Sequence, residues 1–273
     1  LQTEISKRYL FLIEEKQTGQ QPDDPIFIFN DFRYLSLWPE KIISFYLKNN
    51  VTGKMAGFCH FQCDEKTASS PFQAPFASIY LNEDIRFEIY TRFIHLMTDH
   101  LKHQGYAKIY LKHYADFYSP YPPDKLITAL FFEGFQIVQT DINHYLKVTD
   151  QLFDKVVHPM QKRRIKKCIR CRHIFKQHSN NELESVFRKI QDLRMQKNIP
   201  VNISLNKLKA LFTQFPDRYH LFSVQDGEKI IAATCLVSVN AATLYNFLPA
   251  SDENYKSSSP MVYLIKNIYE FAK

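Results

Sequence analysis

The sequence predicts an α+β protein of two units, each a mixed, largely antiparallel sheet flanked by helices. Three observations carry this. In both halves a three-strand run with short turns precedes a polar loop and a long amphipathic helix. The chain has 273 residues, with 45% hydrophobic and 15% aromatic side chains, enough to bury two cores of ordinary size. The βαβ glycine fingerprint of a dinucleotide fold is absent, and only six glycines occur, which argues against a doubly wound parallel sheet.

In the first half, residues 42–48 and 54–62 alternate around the turn-like Asn49–Gly53 and read as a hairpin. The polar stretch DEKTASSPFQ reads as a loop and residues 76–81 as a third strand. Asn82 suits an N-cap, with Glu83 and Asp84 where the helix dipole favours acids. Ile85, Ile89, Phe93, Leu96, Met97 and Leu101 then share one helix face, which Gly105 closes. A strand at 107–112, a Pro-rich loop, a helix at 124–132 ended by Gly134, and a long strand at 135–148 complete the unit. The boundary is expected near Thr149–Asp150, giving units 1–149 and 150–273.

Pro159 fits a first helical position and places 160–172 on a helix, with Ile165, Cys168, Ile169 and Arg172 on its packed side. Two further helices follow, around Leu183–Leu193 and Leu205–Phe215. Strands are expected at 219–224, 229–239 and 241–248, the first pair turned by Asp226-Gly227, and a last helix is capped by Ser259 and Pro260.

Charge is concentrated. The chain carries +7 from 35 basic and 28 acidic residues. Residues 151–180 hold nine Lys or Arg and one acid, whereas the remaining 243 hold 26 basic and 27 acidic side chains. Within QKRRIKKCIRCRH, at 161–173, Arg163, Lys166, Lys167 and Arg170 face outward, and like charges at helical spacing repel. Either distant acids relieve them or an anionic partner does. Arg163, Arg164 and Lys167 are the candidate phosphate contacts, a solvated helix face being the plain alternative. The partner so implied is anionic, a polyanion or a phosphorylated small molecule. DNA recognition is disfavoured, since few residues of this helix suit base edges.

Five cysteines, an odd number for this length, fit reduced thiols and a cytoplasmic location. Cys59 and Cys63 lie about 13 Å apart along a strand, too far to share an ion. Cys168, Cys171 and His173 lack a fourth partner, so no metal is expected. His100 and His103 beside Asp99 read as a solvated helix end, and no Ser stands in a nucleophile elbow. The opening LQTEISKRYLFLIEE has acids after a short apolar run and does not read as a signal peptide; without an initiator Met, a trimmed product is expected. No apolar run is long enough to span a bilayer.

Around 249–260, PASDENYKSSSP, the residues Ser257, Ser258 and Ser259 sit at a helix N-terminus as an anion seat, or Ser259 merely caps that helix. Tyr245 and Asn246 end the preceding strand.

In order, QKRRIKKCIR, NELESVFRKIQDLRMQK, RYHLFSVQDGEKIIAATCLV, ATLYNFLPAS and PMVYLIKNIYEFAK resemble the second unit of the Fem-type aminoacyl and peptidyl transferases. These are tandem units related to the acyl-CoA N-acyltransferases (GNAT-like). The resemblance covers 150–273 by motif and the first half by order of elements. It implies transfer of an acyl or aminoacyl group to an amine, with acyl-CoA or aminoacyl-tRNA as donor. A protein that kept the fold and binds anions or nucleic acid without catalysis is the alternative. The GNAT-like pyrophosphate turn Q/R-x-x-G-x-G/A is replaced by LNEDIRF and SDENYKSSSP, without glycine, which suits the tRNA donor of the Fem type better than acyl-CoA. The family continues past the last helix with a strand, so closing strands of the second sheet are expected to be missing. Acyl transfer needs a neutral amine, a stabilised oxyanion and aligned reactants. Tyr245, Asn246 and Asp252 are the expected catalytic side chains.

Overall fold

The computed structural model describes residues 2–15, 27–38, 41–71, 73–81, 84–118 and 123–273. The chain divides into two compact units, Leu1–Asn143 and His144–Lys273. Both are mixed α+β.

The first unit holds β1 (Gln2–Ser6), β2 (Tyr9–Glu14), α1 (Phe32–Leu35), β3 (Lys41–Asn49), β4 (Met55–Asp64), β5 (Thr67–Ser70), β6 (Tyr80–Leu81), α2 (Phe87–His103), β7 (Lys108–Leu111) and α3 (Asp124–Phe132). Its sheet runs β1-β2-β3-β4-β5-β7, with β6 paired to β4. Every described pairing of strands is antiparallel except β5 with β7, whose parallel connection passes through α2. Alternation sends Phe11, Ile43, Phe45, Leu47, Cys59 and Phe61 to one face, where Phe93, Ile94, Met97 and Leu101 of α2 pack on them. The opposite parity, Ser44, Tyr46, Phe58 and His60, is buried too: the Phe32 ring of α1 stands 5.4 Å from the His60 ring. Such two-sided burial explains why β3 and β4 read as nearly continuous apolar runs.

Four expectations change here. The polar loop contains β5, whose small side chains fit between β4 and β7. Of the strand expected at 76–81, only β6 pairs with β4, and Ala77 makes a lone bridge to His113. β6 lies so close to β4 that a Cβ on Gly57 would overlap the Leu81 side chain and come 2.8 Å from the Tyr80 carbonyl oxygen. Helix α2 starts at Phe87 behind an extended Arg86, because Ile85 is drawn into the core; the expected cap, Asn82, and Glu83 lie outside the described residues. Residues 135–148 form no strand, since β propensity acts only against a neighbouring strand.

The second unit holds α4 (Phe153–Val156), α5 (Pro159–Arg170), β8 (Ile174–His178), α6 (Leu183–Met195), α7 (Leu205–Gln214), β9 (Tyr219–Asp226), β10 (Lys229–Asn240), β11 (Thr243–Asn246), β12 (Ala250–Ser251) and α8 (Pro260–Phe271). The sheet is antiparallel, ordered β11-β10-β9-β8 with β12 also on β10. β8 is an addition to the expected strands; of the strand expected at 241–248 only Thr243–Asn246 forms, and β12 lies beyond it. One face, with Phe222, Val224 and Leu236, packs on Leu264 of α8. Leu221, Ser223 and Cys235, of opposite parity, are equally buried. There His178 Nε2 meets Ser223 Oγ at 2.7 Å and Nδ1 meets Glu182 Oε1 at 3.0 Å. Among the described residues no helix is long and apolar enough to cross a membrane.

Candidate anion-binding face and transfer site

Helix α5 begins as its sequence dictates. Pro159 is at the first position, and His158 Nδ1 accepts the Met160 amide at 3.3 Å. Ile165 is buried with Phe153 and Tyr269, against Val262 and Ile265 of α8. The Cys168 thiol donates to the Ser258 carbonyl at 2.9 Å, and burial pushes it up to about 11. The packed side is narrower than expected: Ile169 is 54% exposed, and Arg172 lies beyond the helix in a left-handed conformation, φ 57°. A helix that ends at Arg170 cannot carry Arg172 on its face.

Among the described residues, Lys162, Arg163, Arg164, Lys166, Lys167, Arg170 and Arg172 form no ion pair with a carboxylate. Arg164 donates to Gln161 Oε1 at 3.2 Å, and Lys167 Nζ donates to the Ser257 carbonyl at 2.8 Å. Arg163, Lys166 and Arg170 are exposed. Of the two ways to balance this charge, acids among the described residues are not the one used.

The serine turn joins the basic helix through those two carbonyls, but it is not open as an anion seat. The Ser258 amide and hydroxyl both donate to the Tyr255 carbonyl at 3.0 Å. The Ser259 amide donates to the same carbonyl at 3.1 Å, and its hydroxyl to the Lys256 carbonyl at 3.2 Å. Ser259 takes φ 54° and makes no side-chain cap, and Pro260 has no N–H to offer. Ser257 alone of the three is exposed. The tight turn before α8 consumes the donors an anion would use.

Asp252 is 3% exposed. Its Oδ1 accepts the Asn254 amide at 2.9 Å, and its Oδ2 lies 3.0 Å from Lys229 Nζ. Burial would raise this carboxyl, but the Lys229 hydrogen bond and the Asn254 amide outweigh it and hold it below its ordinary value. Lys229 also lies over the Tyr255 ring, 4.9 Å from its centre. Tyr255 Oη donates to Asp226 Oδ2 at 2.9 Å, and Asp226 Oδ1 is 3.5 Å from Nδ1 of buried His173. This network of Asp226, Tyr255, Lys229 and Asp252 escaped the sequence reading. Its one signal was the Asp226-Gly227 turn, which brings Asp226 and Lys229 together.

Tyr245 and Asn246 lie elsewhere. Tyr245 is opposite Val237 and Asn246 opposite Leu236 on β10, whereas Asp252 bonds through its amide to the Ile231 carbonyl. Six residues along an extended strand separate these levels by about 20 Å. Tyr245 and Asp252 therefore do not share one reacting centre, contrary to the expected trio. Asn246 is exposed, and its Oδ1 accepts the Thr234 hydroxyl, which leaves its amide N–H groups as donors.

No protein-family model matches the sequence, and no curated protein matches it significantly. Among solved structures, the chain is similar to FemX, at 10% identity, over 88% of this chain and 78% of that one, with a TM-score of 0.54. Two others are a lysylphosphatidylglycerol synthetase (L-PGS) from Bacillus licheniformis and the C-terminal domain of a putative lysylphosphatidylglycerol synthetase from Agrobacterium fabrum. The first matches at 10% identity, over 86% of this chain and 68% of that one, TM-score 0.49. The second matches at 11% identity, over 80% and 64%, TM-score 0.47. At such identity the likeness to FemX is one of architecture: this chain has a Fem-like fold.

Proposed function

We propose that this chain transfers an acyl or aminoacyl group to an amine, with aminoacyl-tRNA as the donor and the exposed face of α5 as its phosphate contact. The observation that carries the reading is the row of cations without acidic partners among the described residues, on a Fem-like fold. Arg163 is the foremost contact, with Arg164 beside it. Lys167, although tied to Ser257, lies within reach of the same face, and the exposed Ser257 hydroxyl is next to it.

In the transfer, the neutral amine attacks the ester carbonyl. The carbon–oxygen bond to the ribose breaks, the ribose hydroxyl leaves with a proton, and the amine nitrogen loses one. Asn246, its carbonyl held by Thr234, aims amide donors suited to the developing oxyanion. Tyr245, the next residue along β11, projects from the opposite face of the strand, so the proton passes to water. Asp252, paired with Lys229 at a different level of the sheet, takes no part in the transfer step.

The test uses tRNA charged with a labelled amino acid. Binding should weaken linearly as salt rises on a log–log scale, and an R163A/R164A/K167A variant should lower both affinity and the salt slope. Salt-independent binding, or unaltered transfer by that variant, defeats the reading. A non-catalytic anion-binding role is favoured by one observation, the neutralised Asp252 far from Tyr245. It predicts salt-dependent binding with no transfer to any amine.

A further inference from the structure

Strand β7 carries cation, ring and cation in alternation on its open side. Ile109 and Leu111 pack against the core that α2 covers, whereas Lys108, Tyr110 and Lys112 are exposed, as the two-residue period of a strand requires. Tyr110 is 46% exposed and stands about 6–7 Å along the strand from each lysine. Its cross-strand neighbour on β5 is Ser69, and that of Lys108 is Thr67, both too small to cover the ring. Among the described residues, Tyr110 has no hydrogen bond or ring contact, and Lys108 and Lys112 form no ion pair with a carboxylate. Asp64 stands in the same row as Lys108, with Thr67 between them, two strands and about 10 Å away.

The combination of residue types selects the partner. β7 is the last strand of its sheet, and lysines on an edge strand keep other strands off, but that duty needs no aromatic ring between them. A protein interface favours the ring but is depleted in Lys. Single-stranded nucleic acid uses both, since its unpaired bases stack on aromatic side chains while cations follow its phosphates. Helix α5 lacks half of this chemistry: PMQKRRIKKCIR holds no aromatic side chain, so it can position phosphates without holding a base.

We infer that Lys108, Tyr110 and Lys112 form a binding site for single-stranded nucleic acid, with a base stacked on Tyr110 and the flanking phosphates held by the two lysines. The site lies within the first unit and is independent of the transfer reading.

Fluorescence anisotropy with a labelled oligoadenylate tests it, on the full chain and on an R163A/R164A/K167A background that removes the contribution of α5, with circular dichroism to check folding. In both, Y110A should weaken binding about tenfold, the worth of one stacked base, and leave the salt slope unchanged. Y110F should bind as the parent does, because the ring stacks and the hydroxyl does not. K108A/K112A should lower the affinity and reduce the log–log salt slope by about 1.4, two phosphates of a single strand. A duplex of the same length, whose bases are already stacked on one another, should be indifferent to Y110A. Oligoadenylate held equally by the parent and Y110A, equal losses for Y110F and Y110A, or an equal loss on the duplex overturns the inference.

Discussion

Lys167 donates to the carbonyl oxygen of Ser257 at 2.8 Å across 90 residues of sequence, so the basic helix and the serine turn are one piece of structure. Two cations separated by one helical turn therefore have different duties. K167A should lower stability by about 1 kcal/mol, the net worth of such a hydrogen bond, and lower affinity for polyanions as well. R163A should lie within about 0.5 kcal/mol of the parent yet weaken polyanion binding. Thermal denaturation and a salt titration of tRNA binding, run on both variants, check the division.

Acid should destabilise the second unit through named carboxylates. Asp252 is held below its ordinary value, with burial opposed by Lys229 and the Asn254 amide. Glu182 is drawn down to about 2, by Lys176 first, then His178 and the Ser179 amide. Carboxyls depressed on folding contribute stability that is present above their unfolded values, near 4, and lost as pH falls through the folded ones. The melting temperature should therefore drop below about pH 4.5, and E182Q should flatten that drop. D252A should cost about 1–2 kcal/mol at neutral pH, through loss of the Asn254 cap and a buried charge partner.

His60 gives the first unit a separate pH response. Its Nδ1 lies 2.8 Å from Ser44 Oγ among the Phe32, Tyr46 and Phe58 rings, and burial pushes it down to about 3. The unfolded chain takes up this proton near 6.5, so stability is full above that pH and falls as pH drops toward 3. Between pH 6 and 5 His60 should supply a slope of about 1.4 kcal/mol per pH unit. His113, pushed down to about 4 by burial, adds to it, and His220, also lowered by burial, acts in the same sense in the second unit. H60Q should remove only its own share, and the His60 ring resonances of the parent should not titrate between pH 8 and 5.

Thiol labelling should single out one cysteine. Cys171 is exposed, whereas Cys59, Cys63, Cys168 and Cys235 are buried, and burial pushes Cys59 up to about 12 and Cys63 to about 11. Only the thiolate is nucleophilic. Brief alkylation at neutral pH should add one label, at Cys171 by peptide mass, and five after denaturation. Early labelling of Cys168 would mean that α5 does not rest on the Ser258 carbonyl.

Much of the local structure was legible because its causes lie within a few residues. Pro159 started α5, the Asp124–Phe132 helix ran to its expected ends, and the alternation of β3 and β4 around Asn49–Gly53 made the expected hairpin. The concentration of positive charge on α5 was likewise a property of composition. Tertiary structure alone decided that polar Thr67–Ser70 is a strand, since β4 and β7 supply its ladder, while apolar 135–148 is not. It alone decided that Asp252 belongs with Lys229 and not with Tyr245, and that Ser258 and Ser259 spend their donors on the turn. Caps and periodicity act over one turn of chain. Strand pairing, charge neutralisation and the use of a donor depend on groups that sequence distance does not reveal, because a hydrogen bond or ion pair is governed by separation in space.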